Sequence, residues 1–185
     1  MALEQTFQHR IEKRHLFEYF VVQLNRWKSE LPAKDGLPFS KLQLQKLLFL
    51  ISAHEATLQC HPMLDIFDRF YALKYGPVEM DVYEAMNNQG SFKVLNFGER
   101  FCEIHNENTG FFDAISMEQK TIVDSAINLI KNKDPEYVLK DPFKLVEITH
   151  GWTAWQIAMM MAGMSNSKME RMSTSDICNS TQKLF

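Results

Sequence analysis

Between Leu16 and Leu31 apolar side chains return every three or four residues: Leu16, Phe17, Phe20, Val21, Leu24, Trp27 and Leu31. That period predicts an amphipathic helix, ended by Pro32 and the Lys34-Asp35-Gly36 turn. Residues 1–14 carry more charge and read as an N-terminal extension that lengthens the helix or frays, ahead of one domain over 15–185. Ser40 suits the cap of a second helix. Leu42, Leu44, Leu47, Leu48, Phe49, Leu50 and Ile51 make that helix apolar nearly all round, the pattern of a central, buried element, with His61-Pro62 marking its end.

Alternation takes over between residues 66 and 75, where Arg69, Tyr71, Leu73 and Tyr75 fall on one face of an extended segment. Val78, Val82, Ala85 and Met86 return to a helical stripe that stops near Asn87-Asn88-Gln89-Gly90. Phe92–Phe97 and Arg100–Ile104 predict a β-hairpin turning at Gly98-Glu99. Beyond a polar loop over Asn106–Ala114, Ser116-Met-Glu-Gln119 forms a capping-box pattern ahead of a helix with Ile122, Ala126, Leu129 and Ile130 at helical spacing. Asp141-Pro142 opens a further helix, interrupted at Thr149–Trp155. A Met-rich helix follows from about Trp155 to Met169, and Ser173-Thr-Ser-Asp176 caps a short terminal helix. The fold class expected is mostly α: a single helical domain with a small β-hairpin or short antiparallel sheet.

Composition narrows the function. The 185 residues are 45% hydrophobic with a net charge of -3, so no global basic field recruits nucleic acid or anionic lipid. Three scattered cysteines suggest no disulfide framework, and neither a signal peptide nor an apolar run of membrane-spanning length is read. A cytoplasmic protein is expected.

Candidate chemistry is sparse. Cys60-His61, Cys102-x-x-His105 and His54 lack the paired close spacings of structural zinc sites, and no metal or cofactor is expected. No nucleophile elbow, zinc-protease motif or phosphate loop occurs. His150, with Thr149 and Glu147 nearby, offers an acid–base candidate, but a histidine locked by a hydrogen bond at a helix junction is the commoner arrangement. Arg10, Lys13, Arg14, Arg26 and Lys28 give the first helix a basic flavour. Glu12, Glu18 and Glu30 interleave with them, so a solvated face is favoured over a nucleic-acid footprint.

Two stretches are left over. Six of the 11 methionines lie between Met159 and Met172. Trp155, Ala158, Met159 and Ala162 suffice for core packing, leaving Met160, Met161 and Met164 as adaptable apolar surface. In Lys74-Tyr-Gly-Pro-Val78, Gly76 permits a backbone angle denied to other residues, and Pro77 sets φ at the first turn of a helix. The pair reads as a strand-to-helix corner, with Glu79 and Asp81 near the helix N-terminus. Lys74 and Tyr75 are not needed for that corner and are candidates for contact with a partner.

Leu44-Gln-Lys-Leu-Leu-Phe49, Arg69-Phe-Tyr-Ala-Leu-Lys-Tyr-Gly-Pro-Val78 and Leu145-x-x-x-Thr149-His150 followed by Trp155 resemble, in order and spacing, the signature blocks of the Panacea domain. Lys46, Gly76, Pro77, Val78, Thr149, His150 and Trp155 are the matching motif residues. The chain departs from the family pattern at Leu73 (usually aromatic), Phe49 (usually Tyr) and Ala154 (usually Pro, so that a fixed turn is lost). The resemblance implies a mostly helical bacterial and phage-associated domain without enzymatic activity. It also implies an antitoxin that binds and neutralises a toxin protein encoded by an adjacent gene. The SocA-like member also delivers its toxin to an ATP-dependent protease. A prophage-type regulator touching DNA through the first helix is the alternative.

Overall fold

The computed structural model describes residues 2–32, 37–54, 56–105 and 109–180; the expected Lys34-Asp35-Gly36 turn and the start of the polar loop at Asn106 lie outside them. The chain divides into two compact units, each drawn from two stretches of sequence. One comprises Met1–Lys41 and Asp81–Leu139, the other Leu42–Met80 and Lys140–Phe185.

In the first unit the N-terminal periodicity is realised as α1 (Ala2–Ser29), a continuous helix that includes the charged residues before Leu16. Leu16, Phe17, Phe20, Val21, Leu24 and Trp27 are all buried, and the Trp27 indole donates to the Pro135 carbonyl at 2.8 Å. Helix α4 (Met80–Met86) contributes Val82, Ala85 and Met86 to this core. Asp81, in the first turn of α4, accepts the buried Lys13 ammonium at 2.8 Å and the Arg10 guanidinium at 3.3 Å.

Strands β3 (Leu95–Phe97) and β4 (Cys102–Ile104) form the expected hairpin, pairing Leu95 with Ile104 and Phe97 with Cys102. Its loop spans residues 98–101, closed by a Gly98 N–H to Phe101 carbonyl bond of 3.0 Å. It is thus two residues longer than a turn on Gly98-Glu99. The capping box at Ser116 and Gln119 is formed at the head of α5 (Met117–Lys133). The buried stripe of α5 is Val123, Ile127 and Ile130, not the series beginning at Ile122: Leu129 is exposed. Both series satisfy a helical period, and packing against α1 selects the second.

The second unit is built on α2 (Lys41–Ala53), in which every residue from Leu44 to Ala53 is buried. The helix ends at Ala53, and Pro62 opens a short α3 (Pro62–Ile66) rather than closing α2. Phe49 meets Phe70 and Trp152 edge-on, with centroids 5.3 and 5.0 Å apart, a favourable aromatic geometry. Strands β1 (Phe70–Leu73), β2 (Gly76–Glu79) and β5 (Glu170–Arg171) form an antiparallel sheet in the order β2-β1-β5. The register pairs Leu73 with Gly76 and Tyr71 with Arg171.

This sheet corrects the reading of Gly76-Pro77. The pair opens β2 and helix α4 begins only at Met80, so Glu79 is a buried strand residue and only Asp81 lies in a helical first turn. Pro77 is tolerated because β2 is an edge strand.

Asp141 caps α6 (Pro142–His150) by accepting from the amides of Phe143 and Lys144. Helix α7 follows as Thr153–Met164 and α8 as Thr174–Cys178, capped by Ser173. The Met-rich helix therefore starts two residues before Trp155 and stops five before Met169. Asn166 adopts φ 53°, a left-handed angle that asparagine tolerates. Nearby, the Ser165 hydroxyl back-bonds to the Met161 carbonyl and Ser167 Oγ donates to the Met169 carbonyl at 2.6 Å. Such local bonds compete with helix continuation.

Candidate partner-binding surface

With Leu73 paired to Gly76, residues Lys74 and Tyr75 form a two-residue turn between β1 and β2. Gly76 has φ +92°, which is sterically accessible to glycine. A Cβ placed there would lie 2.4 Å from Thr149 Oγ1 and 3.1 Å from Lys46 Cε. Both backbone angle and space thus require glycine.

Side chains from α2, α6 and α7 hold the backbone on either side of the turn. From α7, Trp155 Nε1 donates to the Leu73 carbonyl at 3.0 Å. The His150 imidazole, from α6, shares a hydrogen bond with the Lys74 backbone and stacks on Trp155 with centroids 3.9 Å apart and planes 12° apart. From α2, Lys46 Nζ donates to the Pro77 carbonyl at 2.5 Å. Thr149 fills the space over Gly76, its hydroxyl donating to the Val146 carbonyl. Gln45 brackets Glu79, two residues beyond Pro77, accepting from its amide at 2.9 Å. Lys46, Gly76, Pro77, Thr149, His150 and Trp155 are therefore brought together, and what they build is a brace.

Electrostatics support that reading. Lys46 is 0% exposed, and burial pushes its ammonium down to about 7, because a charge removed from water is disfavoured. His150 is lowered first by burial and then by the positive Lys46, against a smaller raising effect of its Lys74 bond. Its Nε2 is buried without a hydrogen-bond partner. A ring stacked on an indole and tied to a turn positions backbone. As an acid–base group it would need a reacting atom within hydrogen-bond reach.

Beyond the brace stands Tyr75, 53% exposed, with Lys74 Nζ 5.5 Å from its ring centroid. Helix α7 buries only Ala154, Ala158 and Ala162, while Met160, Met161 and Met164 are 61%, 51% and 82% exposed. All five residues expected to offer contact surface are thus solvent-facing or within an exposed turn.

Four of the five basic residues considered on α1, Arg10, Lys13, Arg26 and Lys28, are engaged within their own unit, while Arg14 Nε is buried without a hydrogen-bond partner. Lys13 is buried on Asp81, Lys28 donates to the Leu37 carbonyl and lies over the Phe39 ring, and Arg26 bonds Gln23. Among the thiols and imidazoles considered for metal, Cys102 is buried, its thiol pushed up to about 12 by burial and by Glu103 and Glu18. His61 pairs with Asp65 at 2.9 Å.

Sequence reasoning missed Glu18. Its Oε1 accepts from the amides of Lys93, Val94 and Leu95 at 2.7, 2.6 and 3.3 Å, pinning the approach to β3 onto α1. Only its place among the apolar positions Phe17, Tyr19 and Phe20 could have hinted at burial.

A braced hairpin turn and an uncharged Met-rich helix, both on a small α-rich scaffold, are the exposed features this surface offers. Residues 44–156 match the family model described as antitoxin SocA-like, Panacea domain, and the chain belongs to that family of antitoxin-like proteins. No curated protein and no solved structure matches the chain. Among the described residues no helix is long and apolar enough to cross a membrane.

Proposed function

We propose that this protein is an antitoxin that neutralises a cognate toxin by direct binding, without catalysis of its own, and that Tyr75 and Lys74 anchor the toxin. The observation that carries this reading is the exposed Tyr75 on a turn whose backbone is held by Trp155, His150 and Lys46. A tyrosine whose main chain is already ordered loses little entropy on binding, which is how hot-spot aromatics give affinity. The family's antitoxin description supports the class of partner.

In this reading the toxin is the product of the adjacent gene and the complex forms in the cytoplasm. Delivery to an ATP-dependent protease follows in the manner of the SocA-like members. The test is co-expression: the neighbouring product alone should arrest growth, and this protein should relieve the arrest. Tyr75→Ala and Lys74→Glu should each weaken the purified complex at least tenfold in calorimetry. Complexes as tight as wild type would remove the turn from the interface, and an adjacent product that neither binds nor arrests growth would end the antitoxin reading. Faster toxin turnover in the presence of both antitoxin and protease tests the delivery step; an unchanged half-life rejects it.

A further inference from the structure

The turn that presents Tyr75 is tied down by two nitrogen bases and by no acid. Lys46 Nζ donates to the Pro77 carbonyl and would lie 3.2 Å from a Cβ on Gly76. His150 bonds the Lys74 backbone and lies flat on the Trp155 indole. That bond favours the protonated ring, so the imidazole donates and the Lys74 carbonyl accepts. Nε2 is buried without a hydrogen-bond partner, which leaves Nδ1 as the donor.

Few charges surround the ring. From α2 it feels Lys46, and among the described residues no carboxylate acts on it. On α6 itself Glu147 pairs with Lys144 at 2.9 Å. Glu79, at the far end of β2, accepts from the Arg69 amide. Helix α7 carries no charged residue, and Lys74 holds its ammonium over the Tyr75 ring. A second ring proton would therefore stand on Nε2 with no acceptor, near a buried lysine whose ammonium only a carbonyl receives. A buried donor left unmade and a buried charge left unpaired are both costly. His150 accordingly sits below its ordinary 6.5, by burial first and Lys46 second. Below pH 6.5 a released ring binds more protons than the braced one, so the brace weakens as pH falls through the lowered value.

We propose that the brace is an acid-released latch: protonation of His150 at Nε2 drives the ring off Trp155, and the turn that presents Tyr75 loosens. The residue is half-buried as a whole, so its edge already borders water. Release of a bound toxin in acid rests on the antitoxin reading; the loosening itself does not.

The test starts with the full-length protein alone. From pH 8 to 5, NMR follows the His150 ring and hydrogen exchange at the Trp155 indole, which donates to the Leu73 carbonyl. The Trp27 indole, bonded to Pro135, is the reference for global opening. His150 should titrate below 6.5, and Trp155 exchange relative to Trp27 should quicken at least about tenfold with it. His150→Gln keeps an N–H donor and does not titrate in this range, so it should abolish the response. Lys46→Met should raise the His150 midpoint toward 6.5. The proposal is overturned by a midpoint at or above 6.5, by Trp155 exchange that keeps step with Trp27, by a response that persists in His150→Gln, or by a midpoint that Lys46→Met leaves unmoved. Calorimetry with the adjacent gene's product then tests release. The complex should weaken at least about tenfold from pH 7.5 to 5.5 in wild type and hold in His150→Gln. Constant affinity over that range would overturn acid release, even with the latch opening in the free protein. If wild type binds no toxin at pH 7.5, the antitoxin reading fails while the NMR result still decides the latch.

Discussion

Replacing Lys46 by methionine removes a buried charge while keeping an unbranched chain of similar length. In the unfolded chain the lysine titrates near 10.5; in the fold burial brings it to about 7. Its folded pKa is depressed, so between these values the unfolded state binds more protons and stability rises with pH. At about 1.36 kcal/mol per pH unit, wild type at pH 7 lies about 4 kcal/mol below its alkaline plateau and recovers about 2 kcal/mol of that by pH 9. Lys46→Met escapes this cost but leaves the Pro77 carbonyl without its donor, a loss of about 1–3 kcal/mol. The variant should therefore be more stable than wild type at pH 7 by about 1–3 kcal/mol and close to it at pH 9. Urea unfolding at pH 7, 8 and 9 measures the difference, and groups common to both chains that do not feel Lys46, such as Cys102, cancel from it. Parallel stability curves, with a constant gap from pH 7 to 9, would refute the argument that Lys46 is held by burial alone.

Three further substitutions probe the scaffold. Gly76→Val should lower stability by a few kcal/mol, since a side chain is strained at φ +92° and its Cβ meets Thr149 Oγ1 at 2.4 Å; an unchanged melting temperature would mean that the turn rearranges freely. Glu18→Ala should cost about 3 kcal/mol or more by orphaning three amides. Glu18→Gln keeps a carbonyl acceptor and should cost far less. Burial raises the Glu18 carboxyl, so its contribution is fullest below 4.5 and falls as pH rises through the folded value. Acid should accordingly favour wild type over Glu18→Gln in chemical unfolding, and a gap that widens toward neutral pH would contradict the sign.

Helices with strong local signals were legible from residue order. The Leu16–Trp27 stripe, the Ser116 capping box and the Asp141-Pro142 start each rest on neighbours within one or two turns. Misread features depend on residues far apart in sequence. Gly76-Pro77 looks like a corner because proline suits a helix start; it opens a strand because Phe70–Leu73 pairs across it. The register of α5 is ambiguous on its own period and is settled by α1. Strand β5 has two residues and exists only through its bonds to β1, so no periodicity could announce it. In the candidate surface, Lys74, Tyr75 and the exposed methionines were legible as residues that local structure did not require. The burial of Lys46, by contrast, follows from a helix apolar on every side, and its partner lies 31 residues away.

Under the proposed function, the division between brace and contact bears on how one fold serves a binding role. The residues that mark the family motif, Lys46, Gly76, Thr149 and Trp155, lie beneath or beside the turn and bond to backbone or fill space against it. They fix where the turn stands and say little about what it touches. Tyr75 and the α7 methionines make the complementary set: exposed, and unneeded for packing. A change at Tyr75 therefore alters the chemistry offered to a partner while leaving its geometry intact, whereas a change at Gly76 alters the geometry and leaves the chemistry. Under the proposed function, binding specificity and folding stability are separable on this scaffold because the turn's backbone is secured by side chains that its own exposed residues do not supply.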